Sequence, residues 1–107
     1  MIKEHILKYI KLNPNILYYD LCQIFGLSIE ELLPLLGIVN YKIKNKYIEI
    51  YNTNNNLTYE ESPRGYWVEW GYDSNGKLTS KEDSYGYCYK YYYDTNGNLM
   101  YKERYYN

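Results

Sequence analysis

Alanine is missing from the 107 residues, and phenylalanine and histidine occur once each. A lone histidine, His5, leaves no Ser-His-Asp or Cys-His grouping for nucleophilic catalysis, and there is no glycine-rich phosphate loop. The two cysteines, Cys22 and Cys88, are too few for a disulfide framework and read as reduced thiols of an intracellular chain. No run of about 18 apolar residues exists to span a membrane. Met1-Ile2-Lys3-Glu4-His5 lacks the charged-then-apolar pattern of an export signal. The net charge of −1 and pI near 5.8 supply no general basic field, which a nucleic-acid binder uses to displace counterions. These absences predict a cytoplasmic chain with no catalytic residue, no cofactor and no metal site.

In place of those residues stand 18 tyrosines and 12 asparagines, with ten lysines to two arginines. Ile, Lys, Asn and Tyr make up 50 of the 107 positions. That usage is the mark of a very AT-rich coding sequence, as in a low-GC bacterium or one of its phages or mobile elements.

The chain changes character near residue 40. Residues 1–40 carry nine of the twelve leucines and three tyrosines; residues 41–107 carry fifteen tyrosines and both tryptophans. In the first part, Ile2, Ile6 and Ile10, with Leu7 beside them, follow helical spacing. Asn13-Pro14-Asn15 ends that helix. A second helix is predicted over about 16–25, with Leu17, Leu21 and Ile24 inward and Gly26 as its stop. Ser28 and Glu31 form a capping-box pattern that opens a short third helix over 29–36, which holds Pro34.

The second part repeats every 21 residues. Gly65-Tyr66 through Lys81-Glu82 aligns with Gly86-Tyr87 through Lys102-Glu103, and a weaker unit over 44–64 places Asn55 where the others have a turn glycine. Tyr66, Val68, Trp70 and Tyr72 alternate with Trp67, Glu69 and Gly71, and Tyr87 to Tyr93 do the same. Such alternation predicts strands with two different faces. Asp-Ser-Asn-Gly and Asp-Thr-Asn-Gly are turns. Three hairpins make a six-stranded antiparallel meander, and Ile38 to Ile43 has the composition of one strand more. The predicted class is α+β: a helical unit over 1–40, then a tyrosine-rich hairpin-repeat sheet over 41–107.

The Tyr-Asp pair, turn glycine and following leucine resemble the YD repeats of RHS and teneurin proteins, well over 65–106 and poorly over 44–64. The resemblance implies hairpin geometry only, since three units cannot form an encapsulating shell. Asp20 to Leu32, with Cys22 four residues before Gly26 and Leu32 six after it, resembles a helix-turn-helix. Its would-be recognition helix holds Glu30 and Glu31 and no Arg, Lys, Asn or Gln, so direct base reading is not expected.

Cys22, at the small-residue position of that pattern, is expected to be inert. Asp73-Ser74-Asn75-Gly76 echoes the start of a calcium loop, but no glutamate stands at the twelfth position of either turn, and hairpin turns explain the residues. The candidate partner-binding residues are Trp67, Glu69, Trp70, Tyr89, Tyr91 and Tyr92, because Tyr and Trp anchor protein interfaces. Within them, Trp67, Tyr92 and Glu69 rank first, since positions serving one partner need not repeat. Trp67→Ala is expected to leave the fold largely intact. Lys42, Lys44 and Lys46 alternate on one strand face and are candidate phosphate contacts. The functional expectation is a non-catalytic protein-binding inhibitor or adaptor of a phage or mobile element, resembling anti-CRISPR proteins, with a host nucleic-acid-processing or defence complex as partner. The alternatives are a helix-turn-helix regulator that binds nucleic acid and a structural component of a phage particle.

Overall fold

The computed structural model describes residues 1–106 and divides into two compact units, Met1–Tyr41 and a second beginning at Lys42. Asn107, the end of the predicted sheet unit, lies outside the described residues. The architecture is α+β: three helices followed by a seven-stranded antiparallel sheet in strict meander order.

Helix α1 spans Ile2–Leu12, α2 Tyr18–Phe25 and α3 Ile29–Leu35. Ile6, Leu21 and Leu32, one from each helix, form the buried core of this unit. Full burial of such side chains stabilises by about 1.5–3 kcal/mol each. Tyr9, Ile10, Cys22 and Phe25 pack around them, with the Tyr9 and Phe25 rings edge to face at 5.8 Å. Three inward assignments from the periodicity do not hold: Ile2, Leu7 and Ile24 are 44, 46 and 48% exposed. Ile6, Ile10 and Leu21 face the core as expected, and the stripes they belong to are Ile6-Tyr9-Ile10 in α1 and Leu21-Cys22-Phe25 in α2. Helix α2 also starts two residues later than predicted. The Ile16 amide donates to the Asn13 carbonyl, closing a turn, and Leu17 is extended with φ −80° and ψ 154°.

Helix ends are closed by local chemistry. Gly26 takes φ 67° after α2, and the Leu27 amide reaches the Cys22 carbonyl. Ser28 and Glu31 form both bonds of a capping box, at 3.0 and 3.1 Å. After α3, Gly37 adopts φ 79°; its amide donates to Pro34 and that of Ile38 to Leu33, the Schellman arrangement. This closure takes up Gly37 and Ile38, so strand β1 begins only at Tyr41 and ends at Lys44, not at 38–43.

The remaining strands are β2 (Tyr47–Tyr51), β3 (Leu57–Glu61), β4 (Trp67–Tyr72), β5 (Leu78–Asp83), β6 (Tyr87–Tyr93) and β7 (Leu99–Tyr106). The β1–β2 hairpin turns on Asn45 and Lys46, both at positive φ, as a two-residue type I′ turn requires. Lys46 therefore leaves the strand alternation expected for Lys42 and Lys44.

The 21-residue period is repeated in the bonding. Asn52, Asp73 and Asp94 each accept two backbone amides on Oδ1, from residues two and four positions later. Asn55, Gly76 and Gly97 occupy the left-handed position of those turns, at φ 64°, 81° and 83°. Each hairpin carries a bulge where the returning strand holds one extra residue, Thr58, Thr79 or Met100. Bulges strengthen local twist and hold register. The buried apolar residues of the sheet are Ile48, Val68 and Cys88, and no described tyrosine is among them.

Candidate functional site

Pairing register assigns every strand residue to one of two faces. Glu69 lies opposite Tyr59 on one side and Glu82 on the other, and Glu82 lies opposite Cys88, which faces Tyr105. This row, with Trp67, Gly71, Ser80, Lys90, Tyr92, Tyr101 and Glu103, defines the first face. Trp70 pairs with Lys81, Lys81 with Tyr89 and Tyr89 with Arg104, which places them with Tyr87, Tyr91 and Lys102 on the second face.

A groove of about 420 Å³ over β4 to β7 is lined by Glu69, Gly71, Ser80, Glu82, Cys88, Lys90 and Tyr105 of the first face, and also by Trp70, Lys81 and Tyr89, whose register assigns them to the second. Its depth has a local cause. Gly71 and Ser80 oppose each other, and a Cβ on Gly71 would collide with the Ser80 hydroxyl, so the floor is built from small groups. Aromatic pairs stand on either side. Tyr59 and Trp67 stack at 6.5 Å with 19° between planes, and Tyr92 and Tyr101 stack at 4.9 Å with 30°. Tyr92 is 42% exposed, Tyr101 54% and Tyr105 40%. The Tyr101 hydroxyl donates to Glu103 Oε2 at 3.1 Å.

The groove holds two carboxylates, Glu69 and Glu82, together with Lys81 and Lys90. Glu69 and Glu82 are directly opposed carboxylates. Loss of hydration, and then the Glu82 charge, raise the Glu69 pKa above its ordinary 4.5. Burial and the neighbouring Glu82 likewise push the Cys88 thiol up, away from the thiolate form. The repeat shows how this pair arose. Positions 61, 82 and 103 are all glutamate, whereas their cross-strand partners are Ile48, Glu69 and Lys90. At this position only the middle hairpin opposes two acids; the first hairpin opposes Glu49 and Glu60 on the other face of the sheet. Hairpin symmetry around the 73–77 turn was the signal that could have shown this pairing in advance.

The second face differs in sign. Lys81 and Lys102 lie over the Tyr89 ring at 5.7 and 5.1 Å, Lys102 also over Tyr91 at 5.8 Å, and Arg104 over Tyr87 at 5.5 Å. The six residues singled out for partner binding thus divide evenly: Trp67, Glu69 and Tyr92 on the groove face, Trp70, Tyr89 and Tyr91 on the cationic face. Trp67 is half-buried against Tyr59, so its truncation removes more packing than the sequence suggested.

No protein-family model matches this chain, and no curated protein does. Lys42 lies over the Tyr51 ring at 5.3 Å, Lys44 is exposed at the end of β1, and Lys46 sits in the adjoining turn, so the three lysines do not line one strand face. His5 is exposed on α1. Among the described residues, no group of three His, Cys, Asp or Glu side chains could hold a metal, and no helix is long and apolar enough to cross a membrane.

Proposed function

We propose that this chain is a non-catalytic binding protein whose partner is another protein, held on the groove face of the sheet. The observation that carries the reading is the exposed Tyr92–Tyr101 stack beside a groove with an opposed carboxylate pair, Glu69 and Glu82, and a small-residue floor. Aromatic side chains offer large contact area at small entropic cost and supply most binding hot spots when seated in a partner's pocket. The direct opposition of Glu69 and Glu82 weakens the sheet locally. A cationic side chain of the partner between the two carboxylates would relieve that repulsion, so the groove favours a partner with an exposed Arg or Lys.

The biological role we infer is an inhibitor or adaptor of a phage or mobile element, of the anti-CRISPR kind, directed at a host nucleic-acid-processing or defence complex. An AT-rich composition and a recognition surface without a nucleophile–base pair support it. The likeness to YD repeats enters through hairpin geometry alone. The test is affinity purification from a low-GC host with wild type and Tyr92→Ala in parallel. A protein retained by wild type and lost with the variant, at equal folded concentration, supports the reading. Equal recovery with both removes the groove face from consideration.

A further inference from the structure

We infer that the opposite, cationic face is a binding surface for single-stranded nucleic acid. Tyr87, Tyr89 and Tyr91 follow one another on this face of β6, and Lys81, Lys102 and Arg104 stand on the two flanking strands. Each of these cations already lies over a tyrosine ring at 5.1 to 5.8 Å. Adjacent strands are about 4.8 Å apart, so a polyanion laid along β6 meets positive charge on both sides and aromatic rings beneath. Lys102 and Arg104 are exposed, and Tyr87 is 38% exposed.

Spacing selects a single strand over a duplex. Successive rings on one face of an antiparallel strand are about 6.8 Å apart. That is twice the per-strand rise of about 3.4 Å between stacked nucleotides. One base per ring therefore requires an unstacked, extended strand, and a paired duplex has no free base face to offer. A base seated on a ring displaces the ammonium or guanidinium above it, and the freed cation swings to a phosphate. Among the described residues, the sole carboxylate on this part of the face is Asp83, whose Oδ1 is occupied by the Tyr85 and Tyr87 amides. Glu49 and Glu60 lie on the same face but in β2 and β3, away from β6. An acidic peptide would use the cations and leave the rings idle, so the tyrosine row favours nucleic acid. Stacking of this kind tolerates any base, so no sequence preference is expected.

The experiment is fluorescence anisotropy of a labelled 15-mer of thymidine with the full chain, titrated from 20 to 200 mM salt. Three phosphate-paired cations give a slope of log K against log salt of about −2 for a single strand, and Lys102→Gln lowers it to about −1.4. Tyr89→Ala weakens binding about tenfold or more, while Lys102→Gln, at an exposed side chain, guards against loss of fold. A 15-base-pair duplex should bind at least tenfold more weakly than the single strand. Absence of binding at 20 mM salt overturns the inference, as does an unchanged slope in Lys102→Gln. Equal affinity for the duplex, or displacement of the thymidine strand by an equal charge of poly-glutamate, overturns it too.

Discussion

The hydroxyl of Tyr93 donates to the backbone carbonyl of Leu78 at 2.6 Å, spanning from the third hairpin to the second. Twenty-one residues earlier, Tyr72 makes the same 2.6 Å bond to the carbonyl of Leu57. The repeated Tyr-Asp pair is thus a structural device: tyrosine fastens each hairpin to the one before it, and the acid next to it closes the turn. Tyr93→Phe keeps the ring and removes only this bond. It should cost about 0.5–1.5 kcal/mol in urea denaturation and leave partner binding unchanged. A cost within error would mean that the bond is replaced by water without loss.

At the turns, Gly97→Ala should destabilise by about 1 kcal/mol, because a Cβ at φ 83° is strained and meets the Lys77 side chain at 3.0 Å. Gly97→Asn should cost less, since Asn55 already holds the equivalent place at φ 64°. Equal melting temperatures for the two variants would remove the backbone explanation.

Glu69→Lys copies the Lys90–Glu103 pairing of the third hairpin into the second. Exchanging opposed acids for an opposite-charge pair should stabilise the sheet by about 0.2–1 kcal/mol. The same change should weaken a cationic partner. Stability and binding therefore move in opposite directions, which simple unfolding cannot mimic. A variant that melts lower would show that the two carboxylates do not repel in the folded chain.

The pH dependence of this site has a defined sign. The Glu69 pKa is raised in the folded chain, so the folded state binds more protons than the unfolded one as pH falls toward the ordinary carboxylate value of 4.5. The penalty is present at neutral pH and lifts on acidification. Glu60, raised first by lost hydration and then by Glu49, adds a contribution of the same sign. Glu31 acts oppositely: the Ser28 hydrogen bonds lower its pKa, so its contribution is lost as pH falls through that lowered value. Glu69→Gln should therefore melt above wild type at pH 7, by a margin that shrinks as pH is lowered to 4.5. A margin independent of pH would show that charge is not its cause.

Much of the sheet is legible in the sequence because its turns are written in residues with few alternatives. Asp73, Gly76, Asp94 and Gly97 set the hairpins, and strand parity then places Trp67 and Trp70 on opposite faces. The strand before the first repeat was expected, but its turn into β2 escaped because Asn45-Lys46 is a turn made without glycine. The start of α2 was displaced because the Ile16 amide bonds to the Asn13 carbonyl and Leu17 is extended, a local arrangement that periodicity does not register. Least legible was the groove, since it needs both the Glu69–Glu82 register and the meeting of Gly71 with Ser80. Neither is visible along one strand.

Partner affinity of Tyr92→Ala against Tyr89→Ala, each with its melting temperature, bears most directly on the proposed groove-face interface. The two tyrosines lie three residues apart in β6 and on opposite faces. Tyr92→Ala is expected to weaken the protein partner by about thirtyfold, the equivalent of a hot spot of about 2 kcal/mol, with little change in melting. Tyr89→Ala should leave that affinity within about twofold of wild type. Wild-type affinity for Tyr92→Ala together with loss of the partner in folded Tyr89→Ala would contradict the groove-face reading.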